Sequence, residues 1–190
     1  MTDDIGGDLP QRRDKAIDRG VALTVVVLSV FMAVANIKDD NLVQAMQLAK
    51  SDAIDTWSQY QATRTKAHIV TTARTEMTVI AGTNPSAPAL KALADLDAES
   101  AKYAAETPKL KAKAQAEDAQ YDALNVHDDQ FDLCDALISI AVSLAAVAAL
   151  AETRWLLVTS WVFGAFGLLM GLAGFAGWAL HPDQLSALLS

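Results

Sequence analysis

Three stretches without charge, set apart by one long polar insert, restrict this chain more than any motif in it. Val21 to Ile37, Ala136 to Ala151 and Trp155 to Leu180 contain no Asp, Glu, Lys or Arg. The last is long enough to cross a hydrocarbon layer of ~30 Å with some tilt. Apolar residues gathered into blocks of this length predict transmembrane helices over 21–37, 131–151 and 155–180. They leave an N-terminal cytoplasmic segment 1–20, an extramembrane insert 38–130 and a C-terminal tail 181–190. The expected fold is therefore an all-α membrane protein, with a long antiparallel helical hairpin inserted between its first and second membrane helices.

The first block is short, and Arg19 and Lys38 bracket it at positions that suit side chains snorkelling to the two headgroup layers. A cleaved secretory signal is the alternative for the same stretch. Arg12, Arg13, Lys15 and Arg19 would be its basic region, and Ala33-Val34-Ala35 has the small-x-small form of a cleavage site.

Basic residues set the expected threading. Four Lys/Arg precede the first apolar block, the fifteen residues before Phe131 contain none, and Arg154 lies in the tight Glu152-Thr153-Arg154 connection. Under the positive-inside rule the N-terminus and the 152–154 turn lie inside, and the insert and C-terminus outside. Trp155 and Trp178 lie about 34 Å apart along a helix, the spacing of two interfacial aromatic belts. His181-Pro182 should stop that helix, and Gln184 to Ser190 could form a short interfacial turn.

The insert reads as two helical arms. No Pro or Gly occurs from Asp39 to Ala81, and then Gly82-Thr83-Asn84-Pro85-Ser86-Ala87-Pro88 supplies every common breaker at once. The returning arm, Ala89 to Gln130, nearly equals the outgoing one, so each would be on the order of 60 Å long. Pro108 after Thr107 predicts a kink or a helix restart with Thr107 as its N-cap. Leu90, Ala94, Ala98, Ala101, Ala105, Ala112, Ala116, Ala119, Ala123 and Val126 recur at three- and four-residue steps with Pro108 filling one gap, which predicts a narrow alanine seam between the arms. Leu42, Met46, Ala49, Ala53, Tyr60, Ala67, Val70 and Met77 would answer it from the outgoing arm. On that assignment Leu96, Tyr103, Leu110, Leu124 and Phe131, a seven-residue series interrupted by Glu117, face away from the seam and form a candidate interface.

Gly164, Gly167, Gly171 and Gly174 make one face of the third apolar block nearly bare backbone, and Gly167 to Gly171 is a small-xxx-small pair. Helix packing is their expected role, with the small residues of the second block as the nearest partner.

Little in the chain suggests chemistry. The net charge is −8, and acidic side chains outnumber basic ones in the insert, which excludes nucleic acid as a partner. Cys134 is the one cysteine, so no intrachain disulfide can form, and it reads as a small apolar residue. Asp128, Asp132 and Asp135 share one helical face at the membrane interface, with Asp39 and Asp40 brought near if the hairpin closes. Such an acidic cluster could hold a hard cation, but without a glycine-turn loop it reads better as a solvated helix end. His68 and His181 lack partners at metal-ligand spacing, and phosphate loops, serine elbows and redox cysteine pairs are absent. No catalytic residue, cofactor site or metal site is assigned.

The segment Ser51 to Ala62, with Trp57 and Tyr60, together with His127 to Phe131 running into an apolar helix and then Arg154-Trp155-Leu156, resembles a bacterial family of membrane proteins catalogued as domain of unknown function 4337. The resemblance covers most of the chain. It implies an architecture in the bacterial cytoplasmic (inner) membrane, with the insert periplasmic or extracellular, and transfers no catalytic residue; Trp57 and Tyr60 read as hairpin packing. The expected function is a non-enzymatic membrane protein whose hairpin oligomerises or docks, as a homo-oligomer or an accessory subunit of a larger membrane complex, with membrane lipid as its other partner. A sensory module built on an external four-helix bundle and an oligomeric channel or transporter subunit are the alternatives.

Overall fold

A computed structural model of the protein describes residues 15–178. The basic pair Arg12-Arg13, the His181-Pro182 stop and the turn expected over Gln184 to Ser190 lie outside the described residues. Those residues are almost wholly helical: α1 spans Lys15–Ala81, α2 Ala87–Ala151 and α3 Arg154–Ala176. The absence of Pro and Gly from Val21 to Ala81 lets α1 run on as one helix of 67 residues.

Its end is set where the breakers begin. Gly82 adopts φ 61°, a left-handed conformation that a side chain resists. α2 then starts two residues earlier than the spacing predicts, because Ser86 caps it: its hydroxyl accepts from the Ala89 amide (3.4 Å) and its carbonyl from the Leu90 amide (3.0 Å). Pro88 falls in the first turn, where its missing N–H has no helical partner to lose.

No restart occurs at Pro108, which lies inside the continuous α2. The Thr107 hydroxyl is not a cap. It donates back to the Tyr103 carbonyl (2.7 Å), one turn earlier, and so belongs to the helix it was expected to begin.

α3 is shorter than the uncharged run. Gly177 takes φ 67°, and the Gly177 and Trp178 amides bond back to Gly174 and Ala173 at 3.4 and 3.0 Å, which closes the helix before His181-Pro182 is reached. Between α2 and α3, Glu152 sits at φ 50° and Thr153 is extended, so the connection is two residues long.

The chain divides into two compact units, and α1 and α2 contribute to both. One consists of the residues up to Leu42 together with those from Val126 onward; the other is Val43–Asn125.

In the first unit three helices pack on small residues. Gly20, Leu28 and Phe31 of α1 meet Leu157, Gly164 and Gly171 of α3 in ascending order, so the two helices run the same way. Phe131, Cys134, Ile138 and Ala141 of α2 meet Gly174, Gly171, Gly167 and Gly164 in the opposite order.

In the second unit the cross-helix pairs Lys50 over Tyr121, Trp57 with Asp118 and Arg74 with Asp97 advance along α1 while retreating along α2. Leu42, at the edge of the first unit, opens a line of buried α1 side chains that continues through Met46, Ala49, Ala53, Thr56, Thr63 and Val70, with Tyr60, Ala67 and Met77 half-buried. Steps of three and four put all of them on one stripe.

The two faces of α2 are the reverse of those expected from the sequence. Ala94, Ala98, Ala101, Ala105, Ala112, Ala116, Ala119 and Ala123 are exposed, whereas Leu96, Tyr103, Leu110 and Leu124 are half-buried and Ala114 fully buried. The series read as a candidate interface is the inner face. Apolar area decides it: burying a leucine or tyrosine rather than an alanine removes several more carbons from water, at about 0.8 kcal/mol per methylene. Phe131 completes the correction from the other unit, where it is buried with its ring against Gly174 and edge-on to Phe175 at 5.3 Å.

Candidate functional site

Three assemblies of side chains were singled out by the sequence, and the structure places each of them within one unit. The glycine face is the most closely packed. Gly164, Gly167, Gly171 and Gly174 are all buried. A Cβ at Gly167 would lie 2.8 Å from Ile138 and 3.2 Å from the Cys134 carbonyl. At Gly171 it would lie 2.6 Å from the Phe31 ring and 2.8 Å from the Cys134 sulfur. Only hydrogen fits. Ser160, one turn before Gly164, is wholly buried and donates to the Ala141 carbonyl (2.7 Å), so this face is also joined to α2 by a satisfied polar contact.

The acidic cluster does assemble. Asp39, at the end of the first apolar stretch, lies near Asp128, Asp132 and Asp135 as well as its neighbour Asp40, and its carboxyl is pushed up to about 6 by burial first and by those four carboxylates second. Asp128 is shifted upward too, through burial and then Asp132 and Asp129. One carboxylate oxygen each of Asp39 and Asp135 is buried without a hydrogen-bond partner. Among the described residues, however, no three of His, Cys, Asp and Glu converge in a way that could hold a metal ion. Asp132 is exposed, and carboxylates that crowd without wrapping a common point repel rather than coordinate.

The paired aromatics Trp57 and Tyr60 meet edge to face at 5.5 Å, and the Trp57 indole N–H donates to Asp118 across to α2 (2.8 Å). They join the two helices of their unit.

A family model described as domain of unknown function (DUF4337) matches residues 17–177. The chain belongs to that family. No curated protein and no solved structure matches it.

Several contacts of this DUF4337 chain had no readable signal in sequence. Gln130 is fully buried; its amide donates to the Trp178 carbonyl (2.7 Å), and its side-chain oxygen meets His127 Nδ1 (3.2 Å). A glutamine whose main partner is a backbone carbonyl far along the chain leaves no pairing pattern to find. Trp161 is similar: its indole N–H donates to the Thr24 hydroxyl (2.8 Å), which itself donates to the Gly20 carbonyl (2.8 Å). Both ties fasten α3, one near each end. Neither brings together a nucleophile, a base and an oxyanion donor, the minimum arrangement for acid-base or covalent chemistry.

Proposed function

We propose that this DUF4337 chain is a non-enzymatic integral membrane protein that crosses the bilayer three times and presents residues 38–130 as an antiparallel coiled-coil hairpin for docking. The observation that supports the membrane reading best is which residues lie outside. Three helices are long and apolar enough to cross a membrane, yet only 11 %, 33 % and 33 % of their most apolar windows are buried within the protein. Leu23, Val26, Val30, Val34 and Ile37 of α1 and Trp161, Val162 and Phe166 of α3 are all at least half exposed. Water would not tolerate so continuous an apolar surface, and hydrocarbon would. Lys15, Arg19 and Arg154 fall at one end of the first unit, where Gly20 meets Leu157, and the positive-inside rule makes that end cytoplasmic.

The docking reading rests on what α2 leaves outside. Ala94 to Ala123 form an exposed stripe at three- and four-residue steps, narrow enough for another helix to approach closely. A second copy, or a helix of a larger membrane complex, is its partner. Cysteine crosslinking in native membranes tests this. Ala105→Cys and Ala112→Cys should give intermolecular products, and Leu110→Cys, on the inner face, should give none. Free labelling of both alanine positions by an impermeant maleimide, with no crosslinked product, would remove the docking role.

A further inference from the structure

A groove in the first unit is unlike the rest of its surface. It is an open cleft of about 330 Å³ between α1 and α3, lined chiefly by Leu23, Thr24 and Val27 on one side and Trp161, Ala165 and Leu168 on the other. Its length is set by two close approaches of the helices. At one end Gly20 faces Leu157, where a Cβ would come within 3.1 Å; at the other Gly164 faces Leu28, also at 3.1 Å. From Gly20 to Leu28 is about 12 Å along a helix, close to the ~15 Å depth of one leaflet's hydrocarbon. A hydrogen bond ties its two walls together. Trp161 is pinned to Thr24 and Thr24 to the Gly20 carbonyl, so the indole stands as a fixed wall and exposes no unpaired N–H to an apolar guest.

Charge marks one end of it. Arg19, Leu23 and Val27 follow one another at four-residue steps, so the exposed Arg19 continues the α1 wall of the groove, with Lys15 one turn beyond. Arg154, Trp161 and Leu168 follow at seven-residue steps, so Arg154 continues the α3 wall at the same end. An apolar slot one leaflet deep, with no charged residue among its own lining groups, thus ends among Lys15, Arg19 and Arg154, which outnumber the two acidic side chains at that end, Asp18 and Glu152.

We infer that this groove is a binding site for an anionic phospholipid, with one acyl chain lying between α1 and α3 and the phosphate held by Arg19, Arg154 and Lys15 in the cytoplasmic leaflet. The inference rests on the membrane reading above. It adds a particular lipid class at a particular place. A zwitterionic lipid could fill the slot with the same chain, but its choline or ethanolamine would face the basic cluster. Discrimination therefore comes from the headgroup, and retention from the groove.

Native mass spectrometry of the full chain in mild detergent, loaded in turn with phosphatidylglycerol and phosphatidylcholine, tests both parts. One phosphatidylglycerol should be retained at least about tenfold more than phosphatidylcholine, since each basic side chain near a headgroup contributes about a fivefold preference. Lys15→Gln with Arg19→Gln should cut the preference to about fivefold, the share left to Arg154, and adding Arg154→Gln should bring the two lipids close to equal retention. Ala165→Trp, which fills the slot from an exposed position, should release both; circular dichroism checks that it remains helical. Equal retention of the two lipids by the unaltered chain, or unchanged retention in Ala165→Trp, would overturn the inference. Alkaline carbonate extraction separates the two levels of the argument. A chain that stays in the membrane pellet but ignores headgroup charge defeats the lipid site alone. A chain released by carbonate defeats the membrane reading and the lipid site with it.

Discussion

The two units are built from the same two long helices, yet they are sorted in opposite senses. In the first, Gly164, Gly167, Gly171, Ala141, Ala145 and Ala148 are buried, while Leu23, Val26, Val30, Trp161 and Phe166 are exposed. In the second, Met46 and Val70 are buried and Leu96, Tyr103 and Leu110 half-buried, beside the buried Ala49, Ala53 and Ala114, while the Ala94 to Ala123 stripe of α2 stands outside. The difference teaches what surrounds each unit on the proposed membrane reading. Lipid offers no gain for hiding large apolar side chains, so close backbone approach at small residues holds helices together. Water offers a gain that grows with apolar area, so of the two regular stripes on α2 the one with leucine and tyrosine goes inside and the Ala94 to Ala123 stripe is left over.

The largest expected effect comes from breaking the small-residue side of this comparison. Gly167→Ala places a methyl 2.8 Å from Ile138 and 3.2 Å from the Cys134 carbonyl, a backbone atom that cannot swing aside. A loss of about 1–3 kcal/mol is expected from overpacking. Gly171→Leu, against Phe31 and the Cys134 sulfur, should lose more. Thermal unfolding in detergent measures both; an unchanged midpoint for Gly171→Leu would mean that the three helices are not packed as described. In the other unit a comparable enlargement, Ala101→Leu on the exposed stripe, should change stability by no more than about 0.5 kcal/mol.

The next effect tests the opposite sorting. Leu110→Ala removes a half-buried side chain from the inner face and should lower stability by about 1–2 kcal/mol, below the range for fully buried leucines. Ala112→Ser, two residues away on the exposed face, should be near neutral. Hydrogen exchange of the amides from Lys102 to Asp118 reports the difference locally. If Ala112→Ser accelerates exchange and Leu110→Ala does not, the faces have been assigned the wrong way round.

That assignment is also where sequence reading went astray. Block lengths, the breakers at 82–88 and the 3–4 spacing of the α1 stripe were legible, because they depend on local chemistry: where Pro and Gly fall and where apolar residues recur. The choice between two equally regular stripes on α2 was not. Both Ala94 to Ala123 and Leu96 to Leu124 keep heptad spacing; close backbone approach decides at Gly164 to Gly174, whereas apolar area decides on this part of α2. Thr56, Thr63 and Thr107 blurred the pattern further, since polar residues occupy the inner stripe on both helices. Helix ends depended on details that composition hides. The Gly177 cap closes α3 ahead of a proline that looked like the stronger stop, and the Thr107 hydroxyl turns back into α2 instead of starting a new helix. The acidic cluster was readable as a helical face plus a returning partner, although the unpartnered oxygens of Asp39 and Asp135 were not.

The smallest effect belongs to that cluster. Asp39 has a folded-state value of about 6 against an ordinary 3.8, because burial and the carboxylates of Asp128, Asp132, Asp40 and Asp135 disfavour its charge. The folded chain therefore takes up a proton here more readily than the unfolded chain. Ionised Asp39 weakens the fold above about pH 6, and the penalty is relieved as pH falls from about 6 toward 3.8. Stability should rise between pH 7 and pH 5, by a modest amount because much of the side chain remains open to water. Other ionisable residues share that stretch of α2, so the slope alone does not identify its source. Asp39→Asn does: it should raise the unfolding midpoint at pH 7.5 and flatten the rise on acidification, whereas Asp40→Asn, exposed one residue later, should leave most of the slope in place. A slope that persists undiminished in Asp39→Asn would place the titrating group elsewhere and leave Asp39 as an ordinary solvated carboxylate at the edge of the first unit.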